Sequence, residues 1–331
     1  MTERAAPATW RLVAAFLAVY LIWGSTYLAI AFAIETLPPF LMSGVRMLIA
    51  GLTLYAGTRL AGVPRPAPAH WRPAAVLGVL FFLCGYGAVA WVEQRVPSGL
   101  TAVLVAVMPL WAVLIDWLRP GGVRPPASLL LGVLVGLVGV AVLVLPTGGL
   151  GGAGQVDPLG ALVLMCSSFL WAVGSLHARQ ASAPGNTMQF AGMQMLLGGV
   201  MLLGLSALAG DWRGFALSAV SLKSWMALLY LVTFGSIVVF TVFSWLLRVA
   251  DTAKVATYAY VNPIIAVALG WALGGEALTV RSAVAAGIVV GAVGLIITAR
   301  SAVRTIRGRL PRLSRVGVGM TNPSVAANLD R

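Results

Sequence analysis

The sequence predicts an all-α integral membrane protein whose ten transmembrane helices form two inverted five-helix repeats, with both termini in the cytoplasm. Three observations predict this class: the composition, the distribution of basic residues and an internal repeat. Of 331 residues, 60% are hydrophobic and 9% are charged, and the mean hydropathy is +0.96. Soluble domains carry roughly 25% charged residues because their surface faces water. Most of this surface must therefore face hydrocarbon.

Ten apolar segments are long enough to cross a bilayer, which takes about 20 helical residues. Proline and glycine punctuate the breaks between them, as at Pro38–Pro39, Pro125–Pro126 and Gly274–Gly275. The predicted spans are 12–33, 38–60, 73–92, 99–118, 127–146, 157–178, 187–209, 223–247, 253–273 and 280–299. The short cytoplasmic N-terminus, residues 1–11, leads directly into the first span, which is expected to be a retained helix and not a cleaved signal peptide.

Lysine and arginine in the connecting segments predict the orientation of the spans. If the N-terminus is cytoplasmic, the inner segments carry 17 basic residues and the outer segments carry four. The net charge of +13 therefore follows membrane topology, and it forms no basic face on a soluble domain. We expect no nucleic-acid partner. The expected partners are the lipid bilayer and a small-molecule substrate.

An internal repeat divides the predicted bundle into halves. The run Gly44–Gly51 (GVRMLIAG) recurs as Gly192–Gly199 (GMQMLLGG), and the surroundings of Pro109 recur around Pro263. The predicted organisation is a first repeat at 12–146, a periplasmic linker at 147–156, a second repeat at 157–299 and a basic cytoplasmic tail at 300–331. Five spans in each half place the second copy in the membrane upside down. Inverted repeats of this kind are typical of secondary transporters that work by alternating access.

The run Leu21–Gly51 (LIWGSTYLAIAFAIETLPPFLMSGVRMLIAG) resembles the EamA-type drug/metabolite transporter superfamily, and within it the YedA-type bacterial inner-membrane exporters. The Trp-Gly-Ser-Thr run, the proline that opens the second helix and Arg46 carry the resemblance, which extends over residues 12–299. It implies two EamA-like repeats, a bacterial inner-membrane location and export of small molecules. The sequence departs from the family pattern at one position. Glu276 follows helix 9, whereas the matching end of helix 4 in the first half has no glutamate, so we expect a structural role at a helix N-terminus for Glu276, in preference to a transport role.

Polar and aromatic side chains within the predicted spans are the candidates for a substrate cavity. These residues are Trp23, Ser25, Thr26, Tyr27, Arg46, Trp171, Ser175, Gln194, Thr257, Tyr258, Tyr260 and Asn262. Serine and threonine can instead bond to their own helix carbonyls. Arg46 either contacts an anionic group of the substrate, or it is a structural residue held by backbone carbonyls or reaching the interface through its long stem.

Two further sets of residues have conformational or packing interpretations. Pro109 and Pro263 each remove one helical hydrogen bond, so they are hinge candidates, with simple packing kinks as the alternative. Glycines recur at helical spacing in the fifth and tenth spans. They are Gly132, Gly136, Gly139, Gly287, Gly291 and Gly294. Small faces let helices approach closely in lipid, either within the molecule or at a homodimer contact.

Transport has two rival functional classes, an intramembrane enzyme and a non-transporting scaffold. An enzyme needs a nucleophile–base pair or metal ligands at depth, and two histidines near span ends do not form a metal cluster. We therefore expect neither an enzyme nor a metal or cofactor. The chain has no GxxxxGK[ST] motif for ATP, and no carboxylate falls near the predicted midplane, which leaves Asp116 as a weak candidate for proton coupling.

Overall fold

The protein is described here from a computed structural model, which describes residues 8–118, 124–144, 157–178, 183–250, 252–255 and 257–309. Within these residues the chain is helical, with no β-strand. Ten helices, α1 to α10, are Thr9–Ala33, Pro39–Leu60, Pro68–Val92, Ser98–Leu118, Ala127–Val144, Pro158–Ala178, Thr187–Ala209, Leu222–Val232 with its continuations Thr233–Val238 and Val239–Val249, Tyr258–Gly274, and Val280–Arg309. The predicted linker, 147–156, and residues 310–331 of the predicted tail lie outside the described residues.

Seven of these helices are long and apolar enough to cross a membrane: α1, α2, α3, α4, α6, α7 and α8. The other three contain shorter apolar stretches, at Ala127–Val142, Val261–Gly274 and Val280–Ile296. Such a set of apolar helices fits an integral membrane protein, while the count of ten spans and the orientation of the termini remain predictions.

Three helices differ in detail from the predicted spans. Helix α4 is interrupted at Ala106–Val107 because Pro109 has no N–H to donate to Val105. A short helix, Thr252–Val255, precedes α9, so the predicted span 253–273 is not one continuous helix. Helix α10 continues to Arg309, ten residues past the predicted end, because adding a residue to an existing helix avoids the cost of nucleation.

Two helices widen into π-helical turns, which the spacing of apolar residues does not predict. In α3 the π-helical stretch covers Gly78–Gly87, and in α8 it covers Thr233–Val238. The hydroxyl of Ser236 donates to the carbonyl of Leu231, five residues earlier, at 3.0 Å. Such turns often lie at functional sites. Here they change which backbone groups face the neighbouring helices.

The two copies of the repeated glycine motif pack against each other. A Cβ added to Gly51 of α2 would lie 2.9 Å from the carbonyl oxygen of Gly192 in α7. At the other end of the contact, a Cβ on Gly199 would lie 3.1 Å from the carbonyl oxygen of Gly44. The copies therefore run antiparallel, with their backbones in direct contact, as small residues permit.

Helices α5 and α10 form a second antiparallel contact. The α5 glycines lie against α10: added Cβ atoms on Gly132 and Gly139 would come within 2.7 Å of Ile296 and 2.8 Å of Val289. Gly136 of α5 faces Leu110 of α4 and Ala292 of α10. The α5 glycines therefore lie at contacts within the molecule. Among the described residues, no heavy atom would lie within 4 Å of a Cβ added to Gly287 or Gly291 of α10. Gly294, the third predicted glycine of α10, lies on the same helix. A homodimer contact at that face remains a prediction.

We expect Gly199→Ala to destabilise the protein, because its Cβ would lie 2.7 Å from the backbone nitrogen of Leu48, which cannot move away alone. Overpacking of this kind costs roughly 1–3 kcal/mol. The matched control is Gly204→Ala on the same helix, where an added Cβ meets no atom of the described residues within 4 Å. Thermal unfolding of the purified proteins measures both. Equal melting temperatures for the two variants would contradict the close α2–α7 contact.

Candidate functional site

A cavity lies between five helices, α1, α3, α4, α6 and α9. Its volume is about 130 Å³. Its lining is Trp23, Thr26, Tyr27, Ile30, Gly85, Tyr86, Val89, Ala102, Val105, Ala106, Met108, Pro109, Ser167, Trp171, Tyr258, Ala259, Asn262 and Pro263. None of these residues is charged, so the site suits a ligand with an apolar body.

Aromatic rings form two walls of the cavity. The ring of Trp23 lies 4.9 Å, centroid to centroid, from both Tyr258 and Phe243, which hold its orientation. On the other wall, Trp171 lies 5.9 Å from Tyr86. These centroid distances lie in the range of about 4.5–7 Å at which aromatic pairs attract each other. The cavity therefore has preorganised apolar and π surfaces.

Few polar atoms reach this cavity. The indole Nε1 of Trp23 is buried and has no acceptor among the described residues. The hydroxyl of Thr26 instead donates to the carbonyl of Trp23, at 2.6 Å. With its amide oriented to satisfy its neighbours, Asn262 donates to the carbonyls of Tyr258 and Tyr20 at 3.2 and 3.3 Å. The Nε1 of Trp23, a residue of the cavity wall, is thus a buried donor without a partner among the described residues.

The structure brings together six of the twelve cavity candidates that the sequence singled out. These are Trp23, Thr26, Tyr27, Trp171, Tyr258 and Asn262. Both hinge candidates also line the cavity: Pro109 follows the interruption of α4, and Pro263 lies inside α9. The proposed interruptions and the aromatic candidates therefore share one site.

The other candidates are placed elsewhere. The hydroxyls of Ser25 and Ser175 donate to their own helix carbonyls, at Leu21 and Trp171, and Ser25 also bonds to the hydroxyl of Tyr230. Thr257 donates to the carbonyl of Lys254 at 2.6 Å. The half-buried Gln194 lies on α7 where that helix meets α3. The side chain of Tyr260 lies outside the described residues.

Arg46 is buried, with 1% of its surface exposed, and it lies behind the cavity wall. Its Nε donates to the hydroxyl of Ser236 at 3.0 Å, and its Nη2 donates to the carbonyl of Gly235 at 3.1 Å. Both acceptors belong to the π-helical turn of α8. The guanidinium carbon also lies 4.8 Å from the ring centroid of Tyr86, which does line the cavity. Arg46 thus fastens α2 to α8 and supports Tyr86.

Glu276 follows α9 and caps the first turn of α4. Its carboxylate accepts from the backbone nitrogens of Ser98 at 2.7 Å and Gly99 at 3.0 Å. A carboxylate at a helix N-terminus satisfies unpaired donors and complements the helix dipole. This contact matches the structural role predicted for Glu276.

Glu93, which directly follows α3, is a residue that the sequence analysis passed over. Both of its carboxylate oxygens are buried, and neither has a hydrogen-bond partner in the described chain. Burial raises the pKa of the Glu93 carboxyl well above its usual range, the negative charge of Glu276 raises it further, and the positive charge of Arg46 lowers it. In the sequence Glu93 was one of several acidic residues near span ends.

Among the described residues, no group of three or more histidine, cysteine or acidic side chains is placed to hold a metal. The site as described therefore consists of aromatic surfaces, a few polar atoms and one buried carboxyl beyond its end.

Comparison with known proteins agrees with this architecture. The EamA-like transporter family matches residues 10–145 and 158–298. The chain is 38% identical over 287 residues to the inner membrane transporter YedA of Escherichia coli K12, covering 86% of this chain and 90% of that one. It is 26% identical to the transporter YvbV of Bacillus subtilis, covering 77% and 81% of the two chains. A solved crystal structure at 23% identity superposes with a TM-score of 0.58, covering 89% of this chain and 99% of that one, a likeness of fold alone.

Proposed function

Because this chain belongs to the EamA-like transporter family, we propose that it exports small metabolites, amino-acid-like compounds or drugs by alternating access. As a member of that family it is a multi-pass transporter of the inner membrane. The direction of transport, the substrate class and the mechanism are the proposed part. They rest on the symmetry of the bundle and on the chemistry of the cavity.

The proposed topology has ten spans in two inverted repeats, 12–146 and 157–299, with both termini in the cytoplasm. The antiparallel contact between Gly44–Gly51 and Gly192–Gly199 supports the inversion, because copies of one motif that face each other in opposite directions are related by a local two-fold axis. The charge bias of 17 to four supports the orientation. In this topology the end where α3 finishes and α4 begins faces the periplasm.

The position of the cavity carries the functional proposal. Its lining comes from α1, α3 and α4 of the first repeat and from α6 and α9 of the second. A site between inverted repeats can open to either side when the repeats exchange conformations. The repeat-related interruptions at Pro109 and Pro263 both border it, as is typical of binding sites in transporters with this symmetry.

The lining suggests the kind of substrate. Aromatic walls favour an apolar or amphiphilic body. Because none of the described residues that line the cavity is charged, a fully ionised, strongly hydrated solute would lose its hydration without compensation. We therefore propose small amphiphilic compounds with few polar groups.

A filled cavity tests this function. Val105 is half-buried in the lining, so Val105→Trp is expected to reduce export roughly tenfold or more, since an overlap of about 1.4 kcal/mol already weakens binding tenfold. The measurement is an untargeted comparison of metabolites in the medium of cells that express or lack the chain. The control, Val200→Trp, places the same side chain on the exposed face of α7, where Val200 is 57% exposed. Equal export by both variants, or no export that depends on the chain, would overturn the proposal.

A further inference from the structure

Glu93 combines burial with the absence of a hydrogen-bond partner, which is unusual for a carboxylate. Neither Oε1 nor Oε2 contacts solvent, and neither accepts a hydrogen bond from the described residues. Buried polar groups in proteins are nearly always paired, and each exception calls for an explanation. We propose that the Glu93 carboxyl is the proton-binding site that couples this transporter to the proton gradient. This inference rests on the proposed function.

The lack of a partner has a structural cause. The nearest helix N-terminus is that of α4, which begins five residues after Glu93 and would normally attract a carboxylate. Its backbone donors at Ser98 and Gly99 already bond to Glu276. The two carboxyl groups lie within electrostatic reach of each other, and these donors bond to only one of them. Like charges that share a site favour the neutral form of one member.

The charged and titratable groups around Glu93 act in opposite directions. Glu276, between α9 and α10, disfavours its ionised form, and Arg46 of α2 favours it. Tyr27 of α1 also lies within electrostatic reach. On α6, Asp157 caps the first turn, which packs against the residues on either side of Glu93.

Arg95, two residues after Glu93, stacks on the ring of Trp91, with its guanidinium carbon 4.1 Å from the ring centroid. Arg46 is the cation that stabilises the ionised form. Burial and the charge of Glu276 disfavour the ionised form of Glu93. Their combined effect is larger than that of Arg46, because the pKa of the Glu93 carboxyl is raised overall. A carboxyl held between opposing influences can change its protonation state when one of them moves, as a coupling group requires.

Glu93 is also within reach of the cavity. Val89 lines it and precedes Glu93 by four residues, about one helical turn along α3. In the proposed topology the carboxylate takes a proton from the periplasmic solution when the start of α4 moves away from the end of α3. The carboxyl stays protonated while the transporter changes conformation. The proton then passes to water in the cavity when the cavity opens inward. One proton enters the cell in each transport cycle, and no proton is consumed.

Infrared titration tests the protonation directly and needs no substrate. The full chain is placed in vesicles of phosphatidylethanolamine and phosphatidylglycerol and titrated from about pH 5 to about pH 9, a range above the usual carboxyl pKa of about 4.3. The wild type is expected to keep a protonated-carboxyl absorption at about pH 7. Glu93→Gln should remove it. Glu35→Gln should keep it, because Glu35 is an exposed carboxylate at the same end that pairs with Lys223.

Loss of all protonated-carboxyl absorption by about pH 6 in the wild type alone would overturn the proposal, whatever the folding of the variants. Persistence of the absorption in Glu93→Gln would overturn it as well. Glu93→Asp is a second variant: it keeps a carboxyl group and should give an absorption with a shifted titration midpoint.

Export measured against external pH tests the coupling. Acidifying the medium is expected to raise chain-dependent export severalfold in the wild type and in Glu35→Gln, because the entering proton drives the exchange. Glu93→Gln should export at a rate that does not respond to external pH. The same pH response in Glu93→Gln and wild type would overturn this inference while leaving transport intact. Absence of any chain-dependent export would overturn the proposed function itself.

Discussion

Replacing Arg46 by glutamine is expected to lower the free energy of unfolding by about 2 kcal/mol, since a hydrogen bond from a charged donor contributes roughly 1.5–3 kcal/mol. The shorter amide cannot reach both the Ser236 hydroxyl and the Gly235 carbonyl, so at least one acceptor stays unpaired in a buried contact. The stacking on Tyr86 is lost too. Glutamine avoids the desolvation cost of a buried cation, so the net loss is smaller than the sum of these contacts. Thermal unfolding in detergent measures it.

The control for Arg46 is Arg95→Gln. Arg95 stacks on Trp91, lies in an exposed position and makes no α2–α8 contact, so its replacement should change the melting temperature little. A folded Arg46→Gln protein with wild-type stability but no export would contradict the structural role. That result would return Arg46 to the substrate site.

Replacing Pro109 by alanine is expected to lower the turnover of transport severalfold and to change the apparent affinity for substrate by less than about twofold, since hinge changes act mainly on conformational steps. In proline, the missing N–H and the ring clash together disfavour a continuous helix by about 3 kcal/mol. Alanine removes the clash and restores an N–H that can donate to Val105. Helix α4 then becomes continuous through Ala106–Val107. Initial rates in proteoliposomes over a range of substrate concentrations separate the two quantities.

Pro158→Ala is the matched control for Pro109, because Pro158 occupies the first position of α6, where proline is well tolerated. It should leave both turnover and affinity unchanged. Unaltered turnover in Pro109→Ala, with export otherwise normal, would show that the α4 interruption only serves packing. The same comparison applies to Pro263, its repeat counterpart inside α9.

Much of the architecture could be predicted because it follows from periodicity and solvation. Apolar length and proline and glycine punctuation located the helices, and the glycine motif at Gly44–Gly51 and Gly192–Gly199 marked the surfaces where α2 and α7 meet. The family was also evident from the first two helices, and comparison confirmed it. The candidate site was found in part, since aromatic residues and prolines within apolar runs are conspicuous.

Other features could not be predicted because they depend on which neighbour a side chain contacts, and not on the type of residue. Ser25 and Thr26 are neighbours with similar side chains, yet only Thr26 lines the cavity. The π-helical turns that hold Arg46 leave no mark in the spacing of apolar residues. Gly287 and Gly132 have the same spacing pattern, but within the described part of the chain only Gly132 lies against a neighbouring helix.

By itself the sequence determined the class of this protein and its family, because these depend on hydropathy and motifs that are local or additive along the chain. It predicted the internal symmetry from charge bias and repeated motifs. Only the tertiary structure decided which polar groups are paired. Glu276 and Glu93 both lie near helix ends in the sequence, and the fold gives the donors of α4 to Glu276 alone. Hydrogen bonds saturate, so a donor already used by one carboxylate is lost to the other, and that allocation is settled only when distant segments meet.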